Sequence, residues 1–473
     1  MEPNDRISEL LLTLKQVMEA AGRASPQTGQ DFTDLVSAHL GCDASSLPVL
    51  SEDVVAHRFA DWDVALEHLA AQDPQARAVG VGGGQQHHQS LGDLVSTEYG
   101  RPRVGQVEYM QVPTGPDSQR QAIGFGTRLF TFLDQPVVVM QRKAEPMYGS
   151  DIPRFEVLCP GPQVAADLLV EISRVGTQLS LLRGQVISFT ANGYDASAAG
   201  YTFLPRPQLP ADEVILPEGV LQRITDHVLG VADHTDVLRR FGQHLKRGIL
   251  LYGPPGTGKT HTVRHLVGRS PQHTVVLLRG ASLTYISQAA VIARALQPAI
   301  VVLEDCDLVA ADRDFSPSGA PLLFEVLDAL DGLDSDADVT FLLTTNRVDI
   351  LEEALVERPG RVDLAIEIPL PDRHERKRLL ELYRRDVPFS DEALALAAER
   401  TAGMTAAFAK ELVRRAVLEA AVVEESPTDA HLERALDLLL SERESLTRSL
   451  LGVEDEDSLE ATQEQSWMGG QDN

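Results

Sequence analysis

Gly253-Pro-Pro-Gly-Thr-Gly-Lys-Thr260 is the most informative segment of this 473-residue chain. It follows an apolar run and opens a helical segment, which is the setting that a phosphate-binding loop requires. Glycines let backbone N–H groups curl around a phosphate, a lysine reaches the β- and γ-phosphates, and a threonine hydroxyl can bind Mg²⁺. The loop therefore predicts a site for ATP and Mg²⁺, formed by Gly253, Pro254, Pro255, Gly256, Thr257, Gly258, Lys259 and Thr260.

Apolar runs alternate with helical segments through residues 211–372, on both sides of this loop. The runs are Gly248–Tyr252, Thr274–Leu278, Ile300–Leu303, Val339–Leu343 and Leu364–Ile368. Short continuous apolar strands with helices between them form a parallel sheet that is covered on both faces. We therefore predict an α/β fold for this part of the chain.

Two carboxylates follow the third of these runs, in the sequence Ile300-Val-Val-Leu-Glu304-Asp305. In an open parallel sheet, this end of the strand lies beside the phosphate-binding loop. Transfer of a phosphoryl group to water needs one carboxylate to hold the Mg²⁺ shell and another to polarise the attacking water. Glu304 and Asp305 are the candidates for these two roles.

With these motifs in place, residues 248–415 resemble the AAA clade of AAA+ ATPases, which are P-loop NTPases. In that clade the acidic strand usually ends in Asp-Glu. The order here is Glu-Asp, as in the branch that includes the mitochondrial Rieske-protein translocase. By position, the resemblance gives Glu304 the magnesium role and Asp305 the water-polarising role. Because Asp is one methylene shorter than Glu, the water would have to sit closer, which affects hydrolysis but not ATP binding.

The resemblance also implies roles for residues in later segments. The strand 341–345 resembles the strand whose following amide, here Asn346, orients water near the γ-phosphate. Segment 357–363 resembles the one that carries arginine fingers, which gives Arg358 and Arg361 a role at the active site of a neighbouring subunit. A guanidinium there stabilises charge on the transferring phosphoryl group. The resemblance therefore implies a homo-oligomer, and the family forms hexamers.

Two small residues resemble the clade's lid-helix start, which replaces a second sensor arginine. They are Gly403 and Ala406, and they would let the helix approach the nucleotide closely. Tyr285 lies where threading relatives carry a pore aromatic, and packing against the following helix is the alternative that we favour. The segment that begins with His374 and Glu375 lacks the second histidine of a zinc-protease helix, so we do not expect a membrane AAA protease.

Charge and composition bear on partners and location. The chain has 70 acidic against 42 basic residues and a net charge of −28, which disfavours nucleic acid as a partner because that binding draws on Lys and Arg. No run approaches the ~18 to 20 apolar residues of a membrane span, and no secretory signal opens the sequence. We expect a cytoplasmic protein.

Composition shifts divide the chain into five predicted regions. They are a mostly helical N-terminal region (1–74), a separate α/β N-terminal domain (75–205), the ATPase large subdomain (211–372), a C-terminal helical lid (373–450) and an acidic disordered tail (451–473). The leading hypothesis for function is an ATP-driven remodeller whose N-terminal domain binds a protein client. The alternatives are an ATP-dependent assembly or regulatory module with slow turnover and, third, a nucleic-acid motor.

Overall fold

The computed structural model describes residues 30–82, 89–96, 102–144, 152–190, 200–231, 234–307, 337–347 and 362–450. The chain divides into two compact units. The first contains residues 1–206, 271–302 and 314–339, and the second contains residues 207–270, 303–313 and 340–473. The predicted acidic tail, 451–473, lies outside the described residues.

The N-terminal part of the first unit is a seven-stranded sheet with helices on both faces. Its strands are β1 (Val49–Asp53), β2 (Arg77–Gly82), β3 (Arg103–Gly105), β4 (Glu108–Pro113), β5 (Gln119–Phe132), β6 (Gln135–Arg142) and β7 (Arg154–Leu158). Its helices are α1 (Phe32–Leu40), α2 (Phe59–Ala70), α3 (Leu91–Ser96) and α4 (Pro162–Gln178). The strand order is β1-β7-β6-β5-β2-β3, and β4 pairs with β5. The described pairings in this sheet are antiparallel.

Alternation along β6 shows why both faces of this sheet are covered. Val137 and Val139 join a buried cluster with residues of α2 and α4. Val138 and Met140 join a second cluster with residues of α1 and α3. Successive side chains of a strand point to opposite faces, so an unbroken apolar run is buried on both.

A second seven-stranded sheet contains the strands that the apolar runs predicted. Its strands are β8 (Val186–Thr190), β9 (Gly200–Leu204), β10 (Arg247–Tyr252), β11 (Thr274–Arg279), β12 (Ala299–Glu304), β13 (Val339–Thr345) and β14 (Leu364–Glu367). The order is β14-β10-β13-β12-β11-β8-β9. Strand β10 pairs in parallel with β13 and β14, and β8 pairs in parallel with β11. The predicted α/β fold is confirmed.

The hairpin of β8 and β9 belongs to this second sheet, although residues 75–205 were predicted as a separate domain. Strand β9 pairs with β8 in antiparallel orientation. The Arg206 guanidinium then donates to the carbonyls of Gly184 and His273, at 2.9 Å each. These bonds fix the open end of the hairpin beside the start of β11. The domain boundaries stay predictions.

Helices α5 to α8 accompany this sheet, and four more form the predicted lid. The first set is α5 (Val220–Leu229), α6 (Thr235–Arg240), α7 (Lys259–Gly268) and α8 (Ile286–Ala295). The lid helices are α9 (Arg373–Arg384), α10 (Asp391–Arg400), α11 (Ala406–Val422) and α12 (Asp429–Leu450), and their apolar faces share one buried cluster. Within the described ranges, no helix is both long and apolar enough to cross a membrane.

Glu375 has a structural role at the start of α9. Its carboxylate accepts the Asp372 backbone N–H at 2.8 Å, and the Asp372 carboxylate accepts the Glu375 N–H at 2.7 Å. This reciprocal pair satisfies two backbone donors at the helix N-terminus.

Candidate functional site

The phosphate-binding loop connects β10 to α7 through glycines in a left-handed backbone conformation. Gly253 has φ 141° and Gly258 has φ 114°. A Cβ atom at Gly253 would lie 2.2 Å from the Ile368 carbonyl oxygen, which no side chain tolerates. The loop therefore needs glycine at its first position both for backbone freedom and for space.

The side chain of Lys259 is folded back onto the start of this loop. Its Nζ donates to the carbonyl oxygens of Gly253 at 2.7 Å and Pro254 at 2.8 Å. Burial lowers the pKa of Lys259, and the negative charges of Asp305 and Asp307 oppose that shift. The ammonium is thus positioned in the loop and within range of two carboxylates.

The loop opens into a cavity of about 440 Å³, all of whose lining residues belong to the second unit. It brings together these predicted site residues: Pro255, Gly256, Thr257, Gly258, Lys259, Thr260, Asp305, Asn346 and Ala406. Glu304, Gly253, Pro254 and Gly403 do not line it. Arg358 and Arg361 lie outside the described residues.

The backbone at the acidic strand end turns Asp305 into this cavity. Asp305 has φ 53°, a left-handed value that Asp tolerates better than most residues. Its N–H donates to Thr344 Oγ1 at 3.0 Å, and the Cys306 N–H donates to the Thr344 carbonyl at 3.0 Å. Glu304 is buried at the end of β12. The two adjacent carboxylates therefore have different surroundings.

A third carboxylate in the same segment holds the residue that follows β13. Asp307 is buried, and its Oδ1 accepts the Thr345 hydroxyl and the Asn346 backbone N–H, both at 3.1 Å. Sequence reasoning missed Asp307, although its position two residues after Asp305 was a usable signal. This carboxylate ties the end of β13 to the acidic segment.

The lid helix α11 contacts the phosphate-binding loop directly. The Ala407 N–H donates to the Gly256 carbonyl at 3.1 Å, and Thr405 caps the helix by accepting the Phe408 N–H at 3.3 Å. A Cβ atom at Gly256 would lie 3.0 Å from the Ala407 Cβ. Small residues on both sides allow this close approach.

Other lining residues were not predicted. They form an apolar wall, Val214, Ile215, Leu216, Leu379 and Tyr383, and a polar set, Glu213, His261, Arg264 and Lys410. Burial raises the pKa of Tyr383. Burial lowers the pKa of His261, and the charges of Arg264 and Lys410 lower it further, whereas Glu213 opposes them. Glu213, Arg264 and Lys410 therefore lie within electrostatic range of the His261 imidazole.

Tyr285 is not available as a pore residue. Its side chain is buried, and its ring stacks on Phe189 of β8, with 5.2 Å between ring centroids and 25° between planes. Tyr285 is therefore a packing residue, but its ring contacts β8, whereas we expected it to pack against the following helix.

Comparisons with known proteins agree with this geometry. Residues 249–370 match the family described as "ATPase family associated with various cellular activities (AAA)". The chain is 32% identical over 300 residues to the ATP-dependent zinc metalloprotease FtsH 2 of Sphaerobacter thermophilus, covering 59% of this chain and 45% of that protein. It is 28% identical over 362 residues to the FtsH protein of Pelobacter propionicus, covering 71% and 56%.

A second kind of relative is the proteasome-activating nucleotidase of Thermococcus kodakarensis. It is 28% identical over 278 residues, which cover 56% of this chain and 69% of that protein. The chain spans about half the length of the two metalloproteases. The family match, the parallel sheet and the phosphate-binding loop coincide in one stretch of sequence. Residues 249–370 therefore form an AAA domain of the AAA+ clade, an ATP-hydrolysing enzyme domain with the P-loop NTPase fold.

Proposed function

We propose that the protein is an ATP-hydrolysing AAA+ ring protein that remodels a protein client or a protein complex. The observation that carries this proposal is the convergence of Lys259, Asp305 and Asn346 with the phosphate-binding loop in one cavity. The names of the relatives, a metalloprotease and a proteasome-activating nucleotidase, support a protein as the client.

The cavity fits ATP in size and in chemistry. Its volume of about 440 Å³ lies within the range of roughly 300 to 1,000 Å³ that is typical of small-molecule pockets. The loop backbone and Lys259 would bind the phosphates, while the apolar wall with Leu379 and Tyr383 would face the base. Thr260 and Glu304 would hold Mg²⁺, which neutralises charge on the phosphate oxygens when bound.

Asp305 is our candidate for polarising the attacking water, and Asn346 for orienting it. Asp305 lines the cavity, which supports its water-polarising role. Glu304 is buried at the end of β12 and does not line the cavity, so its magnesium role rests on the Glu-Asp order alone. On this basis we also propose that the chain is related to the Rieske-protein translocase branch. Gly403 and Ala406 would shape the lid side of the site.

Arg358 and Arg361 would complete the site of a neighbouring subunit in a hexamer. This proposal rests on the arginine-finger motif and on the AAA family match. A nucleic-acid motor is disfavoured by the net charge of −28, and salt-dependent DNA binding would revive it. Cytoplasmic location stays a prediction.

The buried state of Tyr285 favours a second candidate function. Relatives that thread protein chains carry an aromatic residue in their pore. Because Tyr285 is buried, it does not support threading of that kind by this protein. The second candidate is an ATP-dependent assembly or regulatory module, in which nucleotide occupancy sets the state of the ring and turnover is slow.

Two measurements test these functions. An Asp305→Asn variant should bind MgATP without turning it over, so affinity capture with it should retain clients that the wild type releases. Those clients should then raise the wild-type ATPase rate. Clients that bind without changing the rate would favour the regulatory module, and a wild type that neither binds nor hydrolyses ATP would refute both functions.

A further inference from the structure

Residues 179–185, which we call the bridge segment, join α4 to β8 and are bonded on both sides. On the side of the N-terminal domain, the Asp61 carboxylate of α2 accepts the Leu181 N–H at 2.9 Å. On the side of the second sheet, the Gly184 N–H donates to Thr274 Oγ1 of β11 at 3.1 Å. All these residues belong to the first compact unit. The N-terminal domain is therefore attached to β11 by hydrogen bonds as well as by the chain.

Arg183 extends the bridge segment to the start of β12. Its guanidinium donates to the Thr177 carbonyl in the last turn of α4 at 3.1 Å, and to the Gln297 carbonyl at 2.9 Å. Gln297 lies between α8 and β12, two residues before the strand begins. One side chain thus ties a helix of the N-terminal domain to the strand that ends in Glu304.

The side chain of Gln297 reaches the neighbouring strand. Its Oε1 accepts the Asp338 backbone N–H at 2.9 Å, and its Nε2 donates to the Arg294 carbonyl at 2.8 Å. Asp338 directly precedes β13, and its carbonyl accepts the Ala299 N–H of β12 at 3.0 Å. The amide of Gln297 therefore holds the first residues of β12 and β13 side by side, as a further strand residue would.

The same two strands lead to groups of the nucleotide site. Asp305 follows β12 and Asn346 follows β13, and both line the cavity. The six residues of β12 and the seven of β13 are all buried. Close-packed interiors are stiff and transmit strain. A shift of β12 against β13 at Gln297 should therefore change the distance between Asp305 and Asn346.

We propose that Gln297 is a positioning residue for ATP hydrolysis and that Arg183 couples it to the N-terminal domain. This inference rests on the proposed function, because it takes Asp305 and Asn346 as the groups that act on the attacking water. It adds a route by which the N-terminal domain controls turnover: a partner that moves α4 acts on β12 through Arg183. By linkage, a nucleotide that fixes the far ends of the two strands also steadies the bridge segment.

Steady-state kinetics of the full-length chain test the positioning role. Gln297→Ala should lower kcat by about three- to tenfold, while the KM for MgATP changes less than about twofold, because reacting groups are misplaced and the phosphate-binding loop is untouched. Gln297→Glu keeps an oxygen that accepts the Asp338 N–H and should recover part of the rate. Wild-type kcat in Gln297→Ala, a changed KM alone, or equal losses in the two variants would overturn this role.

Hydrogen exchange tests the coupling through Arg183. MgATP bound to an Asp305→Asn chain, which should hold the nucleotide without turnover, should slow exchange at the phosphate-binding loop and, by about threefold or more, in the bridge segment. Adding Arg183→Ala should keep the slowing at the loop and remove it from the bridge segment. Arg174→Ala, which replaces an exposed arginine of α4 that pairs with Glu171, is the matched control and should keep both effects.

Two results would overturn the coupling and leave the proposed function standing. One is slowing at the loop with none in the bridge segment, and the other is slowing in the bridge segment that survives Arg183→Ala. Exchange that MgATP changes nowhere, with no ATP hydrolysis by the wild type, would overturn both the coupling and the proposed function.

Discussion

The carboxylate of Asp307 accepts a hydrogen bond from the backbone N–H of Asn346, with 3.1 Å between the two atoms. The same oxygen accepts the hydroxyl of Thr345. Asn346 lines the cavity with its proposed water-orienting amide, whereas Asp307 does not. Asp307 is therefore a positioning residue, which acts on the reaction only through the end of β13.

Replacing Asp307 by alanine should lower kcat by about ten- to a hundredfold, because a misplacement on the order of 1 Å has effects of that size. The affinity for MgATP should change less than threefold, since the phosphate-binding loop is untouched. Asp307→Asn keeps an acceptor oxygen and should recover part of the rate. A rise in KM with unchanged kcat would contradict this role.

Substitutions of the adjacent carboxylates Glu304 and Asp305 should have different effects on ATP hydrolysis. Asp305→Asn should leave MgATP bound while stopping turnover, because it removes the proton acceptor and keeps the shape. Glu304→Gln should raise the Mg²⁺ concentration needed for half-maximal rate. Rates measured across a Mg²⁺ titration check both. If Glu304→Gln alone abolishes turnover at saturating Mg²⁺, the two roles are the reverse of those proposed.

Local chemistry made part of this site predictable. The phosphate-binding loop is written in the sequence by glycines before a helix, and the buried strands by continuous apolar runs. The order Glu304-Asp305 was also plain, but which carboxylate enters the cavity depends on the backbone angle at Asp305. That angle is held by the hydrogen bond from the Asp305 N–H to Thr344. Thr344 lies 39 residues further along the chain and comes close only because β13 is next to β12 in the sheet.

The residues that the sequence did not reveal share a different feature. Arg264 and Lys410 lie on helices, and from the sequence alone they would be taken for solvent-exposed charges. The local sequence does not show which cavity a helix face borders. Strand β8 could not be assigned to a sheet, since the residues of β11 that pair with it follow it by about ninety residues. Contacts between distant segments decide such cases, and composition carries no information about them.

Gly253 should be intolerant of any side chain. In Gly253→Ala, the new Cβ would meet the Ile368 carbonyl at 2.2 Å, and the backbone at φ 141° would be strained. Backbone strain alone costs about 1–3 kcal/mol. We expect a lower Tm and lost ATP binding. Gly242→Ala has open space at φ 67° and so measures the strain without the clash; an equal loss of Tm in both would refute the steric argument.

Asp61 should make stability depend on pH. Burial raises its pKa from 3.8 to about 6, although hydrogen bonds from Ser180 and the Leu181 N–H oppose the shift. The folded state thus favours the neutral carboxyl, and this stabilisation is complete below pH 3.8 and lost as pH rises through 6. Asp61→Asn mimics the neutral form and should gain roughly 2 kcal/mol relative to the wild type between pH 4 and pH 7. Parallel Tm profiles for the two proteins would refute the shift.

The active unit should be a ring, because Arg358 and Arg361 are proposed to act on the nucleotide of a neighbouring subunit. The ATPase rate per subunit should then rise with protein concentration as rings assemble. Mixing two inactive variants tests the neighbour relation directly. Arg361→Ala keeps the phosphate-binding loop, and Lys259→Ala keeps the finger. Neither variant alone should turn over, but in mixed rings some interfaces combine an intact loop with an intact finger, so partial activity should return. Full activity from a demonstrated monomer, or no recovery in mixtures shown to co-assemble, would remove the inter-subunit role.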